Sequence, residues 1–369
     1  MPVQQVDIEE FLKLSKQLPI LDVRSPEEFL HAHIPAAFSL PLFTDEQRKI
    51  IGTAYKQQSR EVAVNHGLDY FSERMKIIPG EAINISGLWQ QQAENFTVSS
   101  ASGRTGFLVH CWRGGMRSEA VAWLLGLYGY PVYVLKGGYK SFRSWTLEQF
   151  RKTYKLKILG GFTGSGKTEL LKEMRGKGRW VIDLEGLANH KGSAFGNLGE
   201  KPQPSQEMFE NLLALELLKA ERTEKMEETT GNVYPQINKQ EIWLEDESRN
   251  IGNLHIPDLF WQQMRNSKLY FLEIPFDSRL DFIVSTYNAF NINDLIACVS
   301  KIQKKLGGLE TKNAISFLSE NKVKECFSIL LKHYDKLYSK ALLKRENIES
   351  LFNKINCESV HINNADRLC

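Results

Sequence analysis

The sequence is poor in cysteine and pairs none of it: Cys111, Cys298, Cys326, Cys357 and Cys369 stand far apart, with no Cys-x-x-Cys among them. That argues against a disulfide framework and against a thiolate zinc site. No apolar run approaches the ~20 residues that cross a bilayer. The opening Met-Pro-Val-Gln-Gln-Val-Asp has no basic stretch leading into an apolar one, so nothing reads as a leader segment. Reduced thiols, a cytoplasmic location and no membrane partner are therefore expected. Internal repeats and low-complexity tails are absent too. The net charge is only +3, so total charge does not announce a nucleic-acid binder, and local patches would have to attract phosphates.

What is present suits a soluble α/β protein. At 369 residues, 42% hydrophobic and 25% charged, the chain is too long for one small core, and two to three domains are expected. Short apolar runs alternate with amphipathic segments from end to end, which predicts parallel sheets with crossover helices. Strands are expected at Pro19–Arg24, Ala37–Leu42, Gly106–Cys111 and Pro131–Leu135, then at Lys155–Gly160, Trp180–Asp183, Glu241–Glu245 and Lys268–Glu273. The polar stretch from Gln90 to Arg104 reads as a long loop or insertion. Beyond Asn293 the sequence is mostly helical and lysine-rich. The expected division is 7–150, 151–290 and a mostly helical region 291–369 that can pack on the second domain.

Two segments carry chemistry. His110-Cys-Trp-Arg-Gly-Gly-Met-Arg-Ser118 puts a cysteine at a strand end, two glycines where the backbone must turn, and a helix directly after. Backbone N–H groups then converge on one anion, and the helix N-terminus with Arg113 and Arg117 favours a thiolate at Cys111. The other four cysteines lack such surroundings and read as core residues. Gly161-Phe-Thr-Gly-Ser-Gly-Lys-Thr168 fits G-x-x-x-x-G-K-[ST] at every position, between an expected strand and an expected helix. Gly161, Gly164, Ser165, Gly166 and Lys167 would wrap a phosphate chain, and Thr168 would ligate a magnesium ion if one is used. Asp246, at the end of a strand, is the expected second metal-holding residue.

The cysteine loop, with Leu21-Asp-Val-Arg-Ser-Pro-Glu-Glu-Phe29 and His33-Ile-Pro-Ala-Ala37, resembles the rhodanese family over roughly the first 140 residues. There the cysteine carries a persulfide or its selenium counterpart. Five residues separate Cys111 from Arg117, one more than in the simple rhodanese pattern. That spacing also matches the phosphate loop of cysteine-dependent phosphatases, so the motif alone leaves chalcogen transfer and phosphate-ester hydrolysis both open.

Four further strings, Gly52–Arg60, Asp183–Gly196, Glu245–Gly252 and His333–Tyr338, together with the fusion of the two motifs, resemble the tRNA 2-selenouridine synthase family over almost the full chain. The resemblance implies a rhodanese-like domain followed by a P-loop NTPase-like three-layer α/β domain with a helical extension. It implies a tRNA substrate with wobble 2-thiouridine, geranylation from geranyl diphosphate, and replacement of the geranylthio group by selenium from selenophosphate. It further implies Cys111 as the selenium-carrying residue, the P-loop as the diphosphate site, no tightly bound cofactor, and a functional link to selenophosphate synthase. Lys191 and Lys305, where that family leads us to expect arginine, keep the charge and lose the bidentate geometry. Competing expectations are a cysteine-dependent phosphatase and a P-loop NTPase with a regulatory rhodanese module.

Overall fold

Parallel strands need crossovers that carry the chain back to the same edge, and the alternation of short apolar runs with helices supplies them twice. The computed structural model describes residues 3–92, 105–221 and 240–368. The chain divides into two compact units, 1–148 and 149–369. Of the polar stretch 90–104, residues 90–92 end the helix Ile78–Gln92; 93–104 lie outside the described residues.

The first unit is built on β1 (Gln4–Val6), β2 (Ile20–Asp22), β3 (Ala37–Ser39), β4 (Phe107–His110) and β5 (Val132–Leu135), in the order β1-β5-β4-β2-β3. All of its pairings are parallel. The central strand β4 is buried at all four positions, as a strand covered on both faces must be. Its carboxyl end delivers Cys111 to the edge where α/β sheets hold their ligands. The described part of the crossover from β3 to β4 holds three helices, Asp45–Gln57, Arg60–Arg74 and Ile78–Gln92. Thr44 caps the first with its hydroxyl on the Gln47 amide, and the Gln47 side chain returns to the Thr44 amide at 3.0 Å. Ser59 caps the second. Such caps stabilise a helix by about 1 kcal/mol each, and here they fix a sharp reversal between the two helices.

The second unit holds β6 (Lys155–Gly161), β7 (Trp180–Val181), β8 (Glu241–Glu245), a small antiparallel ribbon of β9 (Asn250–Ile251) and β10 (Leu254–His255), then β11 (Lys268–Glu273) and β12 (Phe352–Asn356). Its main sheet is parallel with order β12-β11-β6-β8-β7. Because β6 pairs directly with β8, with Leu159 opposite Glu245, the acidic end of β8 lies beside the start of the phosphate loop. Beyond 291 the chain is helical as far as Leu343, and its Leu295, Val299, Leu318, Phe327 and Leu330 share one apolar core with Phe195, Leu280, Ile283 and Tyr287. It then returns as β12 to pair with β11, so this region completes the sheet as well as packing on it.

Two candidate functional sites

Cys111 leaves β4 into a loop whose backbone is set by glycines. Gly114 has φ +65° and Gly138 φ +60°, a region costly for any residue with a Cβ. The amides of Tyr139 and Lys140 donate to the carbonyls of Cys111 and Trp112 at 2.8 and 3.0 Å, so the turn after β5 braces the cysteine loop. Cys111 is 4% exposed, with Sγ 3.3 Å from the Ser118 hydroxyl. Burial pushes its thiol up. The Ser118 hydroxyl, the Arg117 charge and the amides of Arg113 and Ser118 outweigh that, and the thiol titrates below the ordinary cysteine range, as a nucleophilic thiol requires. Arg117 is held at 2.7 Å by Glu28. Arg113 is exposed at the rim.

Beneath the loop, Asp22 and Arg24 form a fully buried pair at 2.6 Å. Arg24 also donates to the Ala32 carbonyl at 2.7 Å and lies 3.9 Å over the Tyr139 ring. His110 is fully buried 3.6 Å from Asp22, and burial holds its imidazole below the ordinary histidine range. These residues set the floor of the loop and do not reach its mouth.

In the second unit, β6 runs into the loop 162–166 and the helix Lys167–Gly176. Gly164 and Gly166 have φ +81° and +68°. A Cβ at Gly164 would lie 2.8 Å from the Arg279 carbonyl oxygen, so glycine is required there by both conformation and space. The buried Arg279 fixes the loop from behind: it donates to the Thr163 carbonyl at 3.0 Å and to both carboxylate oxygens of Asp335 at 3.0 and 2.8 Å. Lys167 reaches back to the Gly161 carbonyl at 3.2 Å. The Ser165 hydroxyl is buried with no hydrogen-bond partner among the described residues, as expected of a group awaiting a ligand.

Facing this loop are three carboxylates, Glu185, Glu245 and Glu247, with oxygens within 4.8 Å of one another. The Thr168 hydroxyl donates to Glu185 at 3.4 Å, and Glu245 keeps one oxygen buried without a partner. Burial, then repulsion from Glu245, pushes Glu185 up to about 10 and Glu247 up to about 8. Burial raises Glu245 as well. Three such groups are held in contact most cheaply by protons or by a divalent cation, and an oxygen set with a hydroxyl alongside suits magnesium.

One expectation needs correction. Asp246 is not the carboxylate offered to a metal beside Thr168: its oxygens are engaged by Tyr338 Oη at 2.6 Å and Arg345 at 3.2 Å. Successive strand side chains point to opposite faces, so Glu245 meets the phosphate loop while Asp246 turns to the C-terminal helix.

Two family models match: the tRNA 2-selenouridine synthase AAA domain over residues 154–361 and the rhodanese-like domain over 7–144. The chain belongs to the tRNA 2-selenouridine synthase family. Relatives bearing that name include one from Nitrosomonas europaea, 35% identical over 73% of this chain and 63% of its own length. One from Nitrosomonas eutropha is 29% identical over 92% and 93%, and one from Sulfurovum sp. is 31% identical over 87% of each chain.

Within this family member, the strings noted in the sequence acquire separate structural reasons. Asp183–Gly196 brings Glu185 to the phosphate loop and folds Gly192 over the trio, where a Cβ would lie 2.7 Å from Glu247. Glu245–Gly252 supplies the other two carboxylates. His333–Tyr338 fastens the loop through Asp335 and Tyr338. Tyr287 is buried, and Tyr338 is half-buried with its hydroxyl donated to Asp246. Cys298, Cys326 and Cys357 are buried core residues; Cys369 lies outside the described residues. No helix among the described residues is long and apolar enough to cross a membrane.

Proposed function

We propose that this chain converts wobble 2-thiouridine of tRNA to 2-selenouridine in two steps, geranyl transfer at the P-loop and selenium entry at the Cys111 loop. What carries this reading is the coexistence, in a member of this family, of a diphosphate cradle and a thiol held below its ordinary pKa inside an anion-binding loop. In the first step the thiouridine sulfur bonds to C1 of geranyl diphosphate, the C1–O bond breaks, diphosphate leaves with the electron pair, and the N3 proton passes to solvent. Backbone amides of 162–166, Lys167 and the Ser165 hydroxyl bind the departing charge. Thr168 and Glu245, with Glu185 and Glu247 beside them, would hold a magnesium ion, which would supply further neutralisation of diphosphate. Alkylation turns sulfur into a good leaving group, and selenium from selenophosphate then takes its place on C2.

The test uses defined anticodon stem–loop RNA containing 2-thiouridine. Cys111→Ser should stop selenium incorporation and leave S-geranyl RNA accumulating, whereas Lys167→Ala should stop both. Full selenium transfer by Cys111→Ser would sink the assignment. The Cys111-x5-Arg117 spacing favours a phosphatase as the second reading, and phosphate release from an aryl phosphate, lost with Cys111→Ser, would establish it. Nucleotide turnover dependent on Lys167 and indifferent to geranyl diphosphate would instead support an NTPase.

A further inference from the structure

A cleft of about 750 Å³ opens beside Cys111, in the size range of small-molecule sites. Its walls combine two kinds of group. Leu42, Ile51, Val64, Leu68, Phe71 and Met116 give it an apolar lining, while Arg48, Lys49, Lys56, Arg113 and Arg117 bring five cations, and among the described residues no carboxylate or imidazole lines it. Selenophosphate or any other small anion accounts for the cations and leaves the apolar wall without a purpose. Leu68 and Met116 are 59% and 57% exposed, so part of that wall faces water around a reactive thiol, where an apolar ligand would cover it.

Two glycines strengthen the case. Gly52 lies in the helix Asp45–Gln57 and Gly67 in the helix Arg60–Arg74, and both line the cleft. Glycine is a poor helix former, yet nothing in the fold demands it at these positions. A Cβ at Gly67 would meet only the Phe43 ring at 3.8 Å, and one at Gly52 only the mobile end of Arg48. What the missing side chains provide is room in the cleft. The Gly52–Arg60 string, which neither anion site uses, is thereby placed.

We propose that this cleft receives the geranyl chain of the S-geranylated wobble nucleoside and holds the C2–S bond against the Cys111 loop for displacement; the inference rests on the function proposed above. A ligand with a ten-carbon apolar tail and an anionic backbone matches both sets of walls. In the step served, the selenium lone pair of selenophosphate forms the C2–Se bond and the C2–S bond breaks. The electron pair leaves on geranylthiolate, which takes a proton from water, and water takes the phosphoryl group as phosphate. No oxidant or reductant is required.

The experiment uses the full chain, selenophosphate and stem–loop RNAs bearing S-geranyl, S-dimethylallyl or S-methyl 2-thiouridine, with 2-selenouridine formation followed by mass under single turnover. Wild type should prefer geranyl to methyl on the order of 100-fold. Gly67→Leu, which fills the cleft, should lower the geranyl-to-methyl ratio by about tenfold or more. Leu68→Lys, at an exposed position where folding is not at risk, should lower it through KM for the geranylated RNA. The rate of Cys111 alkylation and the melting temperature report that both variants are folded. Conversion without chain-length preference in wild type, or an unaltered ratio in both variants, overturns the cleft assignment and leaves the two-step reading standing. Failure of wild type on all three RNAs overturns both.

Discussion

Gly114 and Gly138 lie back to back across the loop that carries Cys111. A Cβ on Gly114 would sit 2.5 Å from the Leu135 carbonyl oxygen and 3.0 Å from the Gly138 amide, and one on Gly138 would collide with the Gly114 amide itself. Both residues also have positive φ. Gly138→Ala should therefore destabilise the first unit by about 2 kcal/mol or more. Urea unfolding followed through Trp112 fluorescence would check this, and a midpoint equal to wild type would refute it.

The thiol pKa is testable separately from turnover. Burial raises it, and the Ser118 hydroxyl and Arg117 charge bring it down, so removing either should move iodoacetamide alkylation of Cys111 to higher pH. Ser118→Ala should shift the profile with little effect on folding, and Arg117→Lys should shift it less than Arg117→Ala. A profile indifferent to both residues would mean that the backbone amides alone set the thiolate.

Arg279 fastens the phosphate loop without facing the ligand. Arg279→Ala leaves the Asp335 carboxylate and the Thr163 carbonyl without their partner; breaking a fully buried pair costs about 3–5 kcal/mol, and with the Asp335 side chain 21% exposed the loss should fall below that range. The loss should appear both as reduced stability of the second unit and as weakened diphosphate binding in titration calorimetry. Asp335→Asn, which keeps one hydrogen bond, should cost less.

The acidic trio predicts opposite effects with and without metal. Glu245→Gln removes one of three mutually repelling carboxylates, so metal-free protein should melt higher than wild type. The same variant should bind magnesium about 10–100-fold more weakly and gain less melting temperature on its addition. If magnesium stabilises wild type and variant equally, the trio is not its site.

Much of this was legible in the sequence, and the reasons differ by element. Strand Phe107–His110 is a short apolar run after a glycine, strand Lys155–Gly161 ends in apolar residues and a glycine pair, and the P-loop has a fixed spacing, so each is visible locally. The helices Asp45–Gln57 and Arg60–Arg74 were not: they bury only Ala54, Ala63 and Phe71, which leaves almost no apolar stripe to read. The carboxylate that faces the phosphate loop stands one residue before Asp246: Glu245 and Asp246 are adjacent acids, and only the pairing of β6 with β8 decides which one faces the loop. Glu185 was out of reach for a similar reason, since its approach to Glu245 depends on how β7 sits in the sheet. A separation of two helical turns or one strand can be read along the chain; a contact made by strand order cannot.

Strand order also sets a timetable. The first unit has all five strands once Leu135 is made, and the P-loop motif follows within about 30 residues. The sheet that supports it still lacks β12, which comes from Phe352–Asn356. During synthesis the thiol-bearing unit can thus fold early. Once β11 ends at Glu273, its outer edge stays open, with unpaired backbone groups that invite pairing by another chain, until β12 is made from Phe352 onward. Cells short of chaperones should lose this protein through its second unit first.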